Sequence, residues 1–271
     1  MSKLVRANNF CLRRSKVLWL CVAAALVFSC AFVLKIESGG EGGTTLEQAV
    51  FQVFPFLPVA YAVFISLFLG VEYQDGTLRN KLISGHSKGT VYCSYLITAT
   101  TGCFLILLAW AASIAVGSTK FGWFVAPTKT LLLFAVLILL LTVALSAILT
   151  MLCLLVPNRA VSAVAAILLA FGLIVISSAV YNALCEPATT SYAVATATGF
   201  DISEPQPNPN YISGSLRKIY QFIIDALPTG QAILLANQEL ERPVLSLCAS
   251  IGIAVLVSAA GITAFKRKNL K

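Results

Sequence analysis

Six uninterrupted runs of apolar residues decide what this chain can fold into. A helix rises 1.5 Å per residue, so about 20 apolar residues cross the ~30 Å hydrocarbon core of a bilayer. The runs that reach this scale are 17–34, 51–71, 91–116, 130–156, 161–184 and 244–265. They lack the strict alternation that marks membrane-spanning strands. The sequence therefore predicts an all-α membrane protein, with residues 1–271 forming one transmembrane domain of six spanning helices.

The composition excludes a soluble globular protein. Only 11% of the residues are charged, whereas soluble domains are about one quarter charged. The mean hydropathy is +0.88. These values support the transmembrane prediction without depending on the exact ends of any run.

The basic residues predict the orientation of the spans. With the N-terminus inside, both termini and the segments 72–90 and 157–160 lie on the inner side. This side then holds 13 of the 19 lysines and arginines but only two of the 11 acids. Retention of Lys and Arg on the cytoplasmic side favours this topology. The net charge of +8 is thereby explained by topology and anionic lipid headgroups, and a nucleic-acid partner is not needed.

Two polar regions leave alternatives open. Residues 3–16 are basic with scattered apolar positions, which predicts either a helix on the inner membrane surface or a disordered tail. Residues 185–243 form the only large polar region, expected outside, and begin with an irregular part rich in Thr, Ser, Asn and Pro. Its second part, 214–240, predicts two short helices broken at Pro228. They either dip into the outer leaflet as a re-entrant hairpin or lie flat on the surface.

A short polar segment separates the second and third runs. Within "EYQDGTLRNKLISGHSKG" (72–89), residues 76–84 predict a helix that Asp75 or Thr77 caps and Gly85 ends. Leu78 and Leu82 are four residues apart, with Ile83 beside them, and form one apolar ridge. Such a ridge must be buried in a lipid interface or in a groove of another protein. A helix of about nine residues is marginal alone, and a partner groove would supply the missing burial. The alternative is a solvated basic loop.

This segment carries a family resemblance. The pattern E-Y-x-x-G-T-L-R-N-x-L-I-S-G-x-S-K directly after the second run resembles the signature of type-2 ABC exporter permeases. The N-terminal basic elbow, the six spans, the hairpin before the last span and the ending "FKRKNLK" agree with it. "LPTGQ" (227–231) also resembles small Gram-positive permeases of the bacitracin and lantibiotic-immunity type.

The resemblance implies that residues 76–84 are a coupling helix that docks into a separate cytoplasmic ABC ATPase. It places an acid, Glu72, at the mouth of the second span. The docking residues that it implies are Glu72, Asp75, Gly76, Thr77, Leu78, Arg79, Asn80, Lys81, Leu82 and Ile83. It also implies a second permease chain and a multi-pass location in the bacterial cell membrane, with both termini cytoplasmic.

The chain itself is not expected to be an enzyme. It contains no G-x-x-x-x-G-K-[ST] loop that would cradle phosphates, so ATP and Mg are expected on the partner ATPase and no cofactor on this chain. Two alternatives to an exporter permease remain: an ion-coupled secondary transporter and a non-transporting scaffold. The first is disfavoured because no Asp, Glu, Lys, Arg or His lies in the middle of a run, although backbone and hydroxyl oxygens could bind sodium.

The cargo is expected to be amphipathic or lipid-like, since the walls available to it are apolar or bear hydroxyl groups. Six such hydroxyl residues are Thr98, Thr100, Thr101, Ser113, Thr142 and Ser146. By resemblance, the expected cargo is a peptide antibiotic, which would make the complex an antibiotic-resistance exporter.

Overall fold

The computed structural model describes residues 1–36, 44–191, 193–196, 199–202 and 204–268, and it describes no side chains between 192 and 203. The outside loop expected at 37–45 therefore lies outside the described residues, apart from Thr44 and Thr45. The helices are α1 Ser2–Arg14, α2 Lys16–Lys35, α3 Leu46–Phe51, α4 Leu57–Gln74, α5 Thr77–Ile83, α6 Lys88–Ala111, α7 Ser113–Phe121, α8 Thr128–Leu155, α9 Arg159–Cys185, α10 Gly214–Ala226, α11 Pro228–Asn237 and α12 Pro243–Arg267.

The prediction of an all-α membrane protein with six candidate spans is confirmed. Within the described residues, six segments are long and apolar enough to cross a membrane: Lys16–Lys35, Leu46–Gln74, Lys88–Phe121, Thr128–Leu155, Arg159–Cys185 and Pro243–Arg267. The second segment combines α3 and α4 through a 3-10 turn at Phe54–Phe56, and the third combines α6 and α7. Both therefore extend beyond the runs that the sequence marked at 51–71 and 91–116.

The spans divide into a central and a peripheral group. Helix α8 packs against α4, α6 and α12, and α4 also packs against α9. In the most apolar stretch of Leu46–Gln74, 67% of the residues are buried, but only 17% are buried in that of α12. The corresponding share for α2 and for α9 is 22%. Most of the surface of these three helices therefore faces lipid or another chain.

Residues 2–14 form a helix instead of a disordered tail. Helix α1 lies against α6 and buries Leu4, Asn8 and Leu12, which are four residues apart along one face. Its opposite side exposes Phe10, whose ring lies 4.5 Å from the guanidinium carbon of Arg14. The helix is therefore anchored to the bundle along one stripe.

The region before the last span contains a bent helical hairpin. Helices α10 and α11 meet at 93°, and Pro228 is the first residue of α11, as the sequence predicted. All residues from Pro228 to Ala236 are buried, because α11 packs among α3, α8, α9 and α10. A Cβ on Gly230 would lie 2.4 Å from the carbonyl oxygen of Ile224, so only glycine allows this approach. This burial favours an arm that enters the bundle over a pair lying flat on its surface.

The first part of 185–243 is more regular than expected. Strand β1 (Thr189–Thr190) pairs antiparallel with β4 (Gln206–Pro207), and β2 (Ala193–Thr196) pairs antiparallel with β3 (Gly199–Ile202). The expectation of a wholly irregular cap is wrong here. Short runs such as "AVAT" alternate too briefly to be recognised from composition.

Candidate functional site

Helix α5 follows α4 after a tight turn at Gly76. Gly76 has φ +66°, in the left-handed region that glycine adopts without strain, and it is the N-cap of α5. The predicted side-chain caps are wrong, because Gly76 occupies the cap position and no side chain caps the helix. The hydroxyl of Thr77 instead lies back toward Glu72, 3.0 Å from its carbonyl oxygen. At the other end Gly85 has φ +88° and follows the last turn, as predicted.

The apolar side of α5 lies against the chain's own bundle. Leu78 is only 2% exposed and belongs to the main hydrophobic core, and Leu82 packs against the same core. Ile83, in contrast, is 73% exposed. The predicted ridge is therefore divided: Leu78 and Leu82 lie against the bundle and do not face a partner, whereas Ile83 is exposed. A short helix shows the same apolar spacing whether a partner or its own bundle covers it.

A polar cluster beneath α5 is centred on Glu72, the buried carboxylate near the end of α4. Its Oε2 accepts hydrogen bonds from the hydroxyl of Thr77 and from the phenol of Tyr95, each at 2.5 Å. Lys81 Nζ lies 3.1 Å from the same oxygen. Among the described residues this is the only ion pair. The carboxylate is thus held by three donors from α5 and α6.

Asn8 extends this cluster to the N-terminal helix. Lys81 Nζ donates to Asn8 Oδ1 at 2.8 Å, and Asn8 Nδ2 donates to the hydroxyl of Ser94 at 3.1 Å. Asn8 is 1% exposed and Ser94 is fully buried. We call Asn8, Glu72, Thr77, Lys81, Ser94 and Tyr95 the seat cluster. It joins α1, α4, α5 and α6 through hydrogen bonds.

The outward side of α5 is solvent-exposed. Asp75, Arg79, Asn80 and Ile83 are all exposed, and so are residues 84–87 after the helix. In the part of the chain that the structure describes, no hydrogen bond or ion pair involves the side chains of Asp75, Arg79 or Asn80. We call Asp75, Arg79, Asn80 and Ile83 the outward face. It offers an anion, a cation, an amide and an apolar side chain to a partner.

The predicted docking residues therefore separate into two sets. Glu72, Thr77, Leu78, Lys81 and Leu82 face the bundle, whereas the four residues of the outward face do not. Gly76 forms the turn between α4 and α5. The helical period explains the separation, because positions 78, 81 and 82 share one side of the helix and positions 79, 80 and 83 share the other.

The C-terminal segment reaches the same end of the bundle. Lys268 Nζ donates to the phenol oxygen of Tyr73 at 2.9 Å and to the carbonyl oxygen of Leu154 at 3.0 Å. Lys88 Nζ donates to the carbonyl oxygens of Lys266 and Lys268 at 3.0 and 2.7 Å. Burial lowers the pKa of Lys268. The residue after α12 is thereby fixed next to the ends of α4 and α8.

Most of the hydroxyl groups expected to line a substrate path do not do so within this chain. Thr98, Ser113, Thr142 and Ser146 are fully buried. The hydroxyls of Thr100 and Ser146 are 2.7 Å apart, which joins α6 to α8. Those of Tyr61 and Thr142 are 3.3 Å apart, which joins α4 to α8. Thr98 bonds to the carbonyl oxygen of Ser94 in its own helix, and Thr101 lines an apolar groove.

Sequence reasoning missed Asn8, Tyr95 and Lys268. Asn8 and Lys81 are 73 residues apart in the chain, and no local pattern relates them. One signal was available for Asn8: a polar residue on the stripe of Leu4 and Leu12 must find a buried partner. Tyr95 carries no comparable signal, since tyrosine is common near the ends of membrane helices.

Comparison with known families identifies the class of protein to which this arrangement belongs. Residues 10–177 match the model of a family described as "ABC-2 family transporter protein". The match covers more than half of the chain and includes all of α5, so the chain belongs to the ABC-2 transporter family. Permease domains of this family are non-catalytic membrane subunits that work with an ABC ATPase partner. No curated protein matches the chain.

Proposed function

We propose that this chain is the permease subunit of an ATP-driven exporter, and that it binds its ATPase through the outward face of α5. The observation that carries this proposal is the separation of the two sides of α5. The inner side is fixed by Leu78 and the seat cluster, while the outward face presents groups without partners in the described chain. A docking helix needs both a rigid support and a free face.

The seat cluster supports transmission of movement from an ATPase to the spans. A displacement of α5 would act on α4 through the bonds between Thr77 and Glu72, and on α6 and α1 through Lys81. Glu72 links α4, α5 and α6 as a common acceptor, and Asn8 adds α1 through Lys81. A contiguous network of packed and hydrogen-bonded side chains such as the seat cluster can carry coupling of this kind.

The proposed side of the membrane is the cytoplasm for α5 and for both termini. The contacts of Lys81 with Asn8, and of Lys88 with residues 266 and 268, place α1, α5 and the end of α12 at one end of the bundle. This end carries most of the lysines and arginines. The positive-inside rule then supports a cytoplasmic location in a bacterial cell membrane.

Copurification with the ATPase tests the docking proposal. The variant Ile83→Asp combined with Arg79→Glu reverses the chemistry of the outward face without touching the core. We expect the permease to accumulate normally and its ATPase to be lost on purification, because an apolar contact is removed and a charge is reversed. Ile83→Leu and the exposed Lys3→Glu are matched controls that keep the ATPase. Retention of the ATPase by the double variant would contradict the proposal.

The cargo proposed for this exporter is an amphipathic or lipid-like molecule, with peptide antibiotics as the leading class. The mostly exposed apolar surfaces of α2, α9 and α12 support a path shared with a second permease chain and accessible from lipid. The partner ATPase would bind ATP and Mg. Cells that lack the permease should become more sensitive to at least one peptide in a broad panel of membrane-active antibiotics. Unchanged sensitivity to the whole panel would exclude peptide antibiotics as the cargo.

The same resistance assay distinguishes an ATP-driven exporter from an ion-coupled transporter. A hydrolysis-deficient variant of the ATPase should abolish resistance, while collapse of the proton or sodium gradient at constant ATP should not. The opposite pattern would support ion coupling.

A further inference from the structure

A cavity of about 590 Å³ lies at the other end of the bundle from α5. It is open on one side and is lined by the end of α9, one side of α10, α11 and the turn that precedes α12. Five charged residues line it: Arg217, Asp225, Glu239, Glu241 and Arg242. We call this space the hairpin cavity. The acids exceed the bases by one, so the cavity favours a ligand with a positively charged group.

Helix α10 supplies one charged wall of the hairpin cavity. Arg217, Gln221 and Asp225 recur every four residues, so they lie on one side of the helix. Leu216, Ile219 and Phe222 lie elsewhere on the helix and are 51%, 53% and 57% exposed. An apolar strip on a membrane protein is expected to face lipid. Helix α10 thus separates lipid on one side from a charged cavity on the other, close to the end of span α9.

Asp225 is a buried carboxylate without a partner. It is 5% exposed, yet no hydrogen bond or ion pair to its carboxylate is found among the described residues. Arg242 attracts the carboxylate and Glu241 repels it, but neither arginine of the cavity lies within ion-pair distance. The carboxylate oxygens border the cavity and keep contact with solvent, so a donor on a bound ligand would replace water there.

Arg217, in turn, has a buried donor without an acceptor. Its Nη2 donates to the carbonyl oxygen of Leu184 at 3.0 Å, but its Nη1 is buried and has no acceptor in the described chain. Two other charged groups of the cavity do have partners: Glu239 accepts from the phenol of Tyr181 at 2.9 Å, and Arg242 donates to Gln221 at 3.1 Å. Among the buried groups of the cavity, the Asp225 carboxylate therefore lacks a donor and Arg217 Nη1 lacks an acceptor. The carboxylate of the exposed Glu241 also has no partner among the described residues.

We propose that the hairpin cavity binds a zwitterionic ligand, whose ammonium group donates to Asp225 and whose anionic group accepts from Arg217. Two sources carry this chemistry: the headgroup of a lipid such as phosphatidylethanolamine, or a short peptide with free ends. Eight residues of helix separate Arg217 from Asp225, which is about 12 Å. An extended peptide of about three residues is long enough to contact both residues. A lipid headgroup is shorter, so the two side chains must extend toward it. The lipid is the first expectation, because the cavity adjoins the lipid-facing strip of α10.

Binding to the full chain, purified and freed of lipid in detergent, tests the proposal without any ATPase. The probes are short-chain phosphatidylethanolamine, the matching phosphatidylcholine and phosphatidylglycerol, and the tripeptide Ala-Ala-Ala with and without an N-acetyl group. We expect phosphatidylethanolamine to bind at least about tenfold more tightly than phosphatidylcholine, whose quaternary ammonium has no N–H to donate. Binding is read from the ligand-dependent rise in Tm.

Variants of the cavity locate the binding. Asp225→Asn and Arg217→Gln should each weaken the binding of the preferred probe about tenfold or more, since each removes a charge-assisted hydrogen bond. Lys218→Gln is the matched control, because Lys218 is exposed on the same helix and does not line the cavity. Asp225→Glu keeps the charge and should retain part of the affinity. If Asp225→Asn fails to fold, the comparison of Arg217→Gln with the control Lys218→Gln still tests the proposal.

The probes also separate the two sources. Tight binding of phosphatidylethanolamine alone identifies a headgroup site, and tight binding of the free tripeptide but not of its acetylated form identifies a peptide site. Either result, with loss in the cavity variants, supports the zwitterion site. Equal binding of all three lipids by the wild type and every variant, or no binding of any probe, would overturn it. Neither outcome affects the docking proposal, which concerns the other end of the bundle.

Discussion

Glu72 and Asp225 are both buried carboxylates near the ends of membrane helices, but their surroundings differ. The carboxylate of Glu72 accepts from Thr77, Tyr95 and Lys81, whereas the carboxylate of Asp225 has no donor among the described residues. Helix α9 runs between the two ends of the bundle, and its 27 residues make it about 40 Å long. We therefore expect different roles, because a paired charge holds helices together whereas an unpaired charge is able to bind a ligand.

The two sites also differ in whether their hydrogen-bonding groups have partners. The seat cluster joins four helices, and Lys81 within it contacts Glu72, Asn8 and Tyr95. The hairpin cavity is lined by three helices and a turn but leaves Arg217 Nη1 unmatched. We therefore expect substitutions to act mainly on stability at the first site and mainly on binding at the second.

The largest expected effect is that of Glu72→Ala. It leaves Tyr95 without its acceptor and Lys81 without its counter-charge, and breaking a buried pair from one side costs roughly 3–5 kcal/mol. Thermal unfolding of the purified chain should show a marked fall in Tm. The double variant Glu72→Ala with Lys81→Met should recover part of the loss, because no uncompensated charge remains. A wild-type Tm for Glu72→Ala would show that the seat cluster does not hold α5.

A smaller effect is expected for Leu78→Ala on the inner side of α5. Removing a buried leucine side chain costs about 2–3 kcal/mol, in the lower part of the range for such changes, since the site is at the edge of the bundle. Ile83→Ala on the outward face is the matched comparison and should change the stability by less than about 0.5 kcal/mol. Equal losses for the two variants would mean that the two sides of α5 are not distinct in the isolated chain.

The smallest expected effect, and one of opposite sign, is that of Asp225→Asn without ligand. An amide of nearly the same shape removes the buried unpaired charge, so the stability should stay constant or rise by up to about 1 kcal/mol. The Tm of the ligand-free chain measures this change. A large fall in Tm would show that Asp225 has a structural partner, and the contrast with Glu72 would then disappear.

The spans could be predicted from the sequence because membrane burial leaves long apolar runs that need no knowledge of their neighbours. The break at Pro228 and the turn at Gly85 were also predictable, since proline and glycine have local conformational effects. The side of α5 that faces the bundle could not be predicted. Leu78 and Ile83 are both apolar, and only packing distinguishes a residue that is 2% exposed from one that is 73% exposed.

The same limit applies to the polar groups. Thr142 and Ser146 were expected to face a substrate, but they bond to neighbouring helices, because a hydroxyl within an apolar bundle needs a partner wherever it lies. Asp225 was counted among the outer acids, and its burial depends on the 93° bend between α10 and α11. Partners that are distant in sequence cannot be recovered from one chain without its fold.

Protection of a single thiol tests the central claim most directly. The variant Ile83→Cys, in a chain whose exposed Cys11, Cys185 and Cys248 are replaced by serine, places a reactive group on the outward face. A water-soluble thiol reagent should modify position 83 rapidly in the permease alone and at least about tenfold more slowly after assembly with its ATPase, because a docked interface excludes solvent. A thiol at Lys3→Cys serves as the control and should react equally in both states. Equal labelling of position 83 with and without the ATPase would contradict the assignment of α5 as the docking helix.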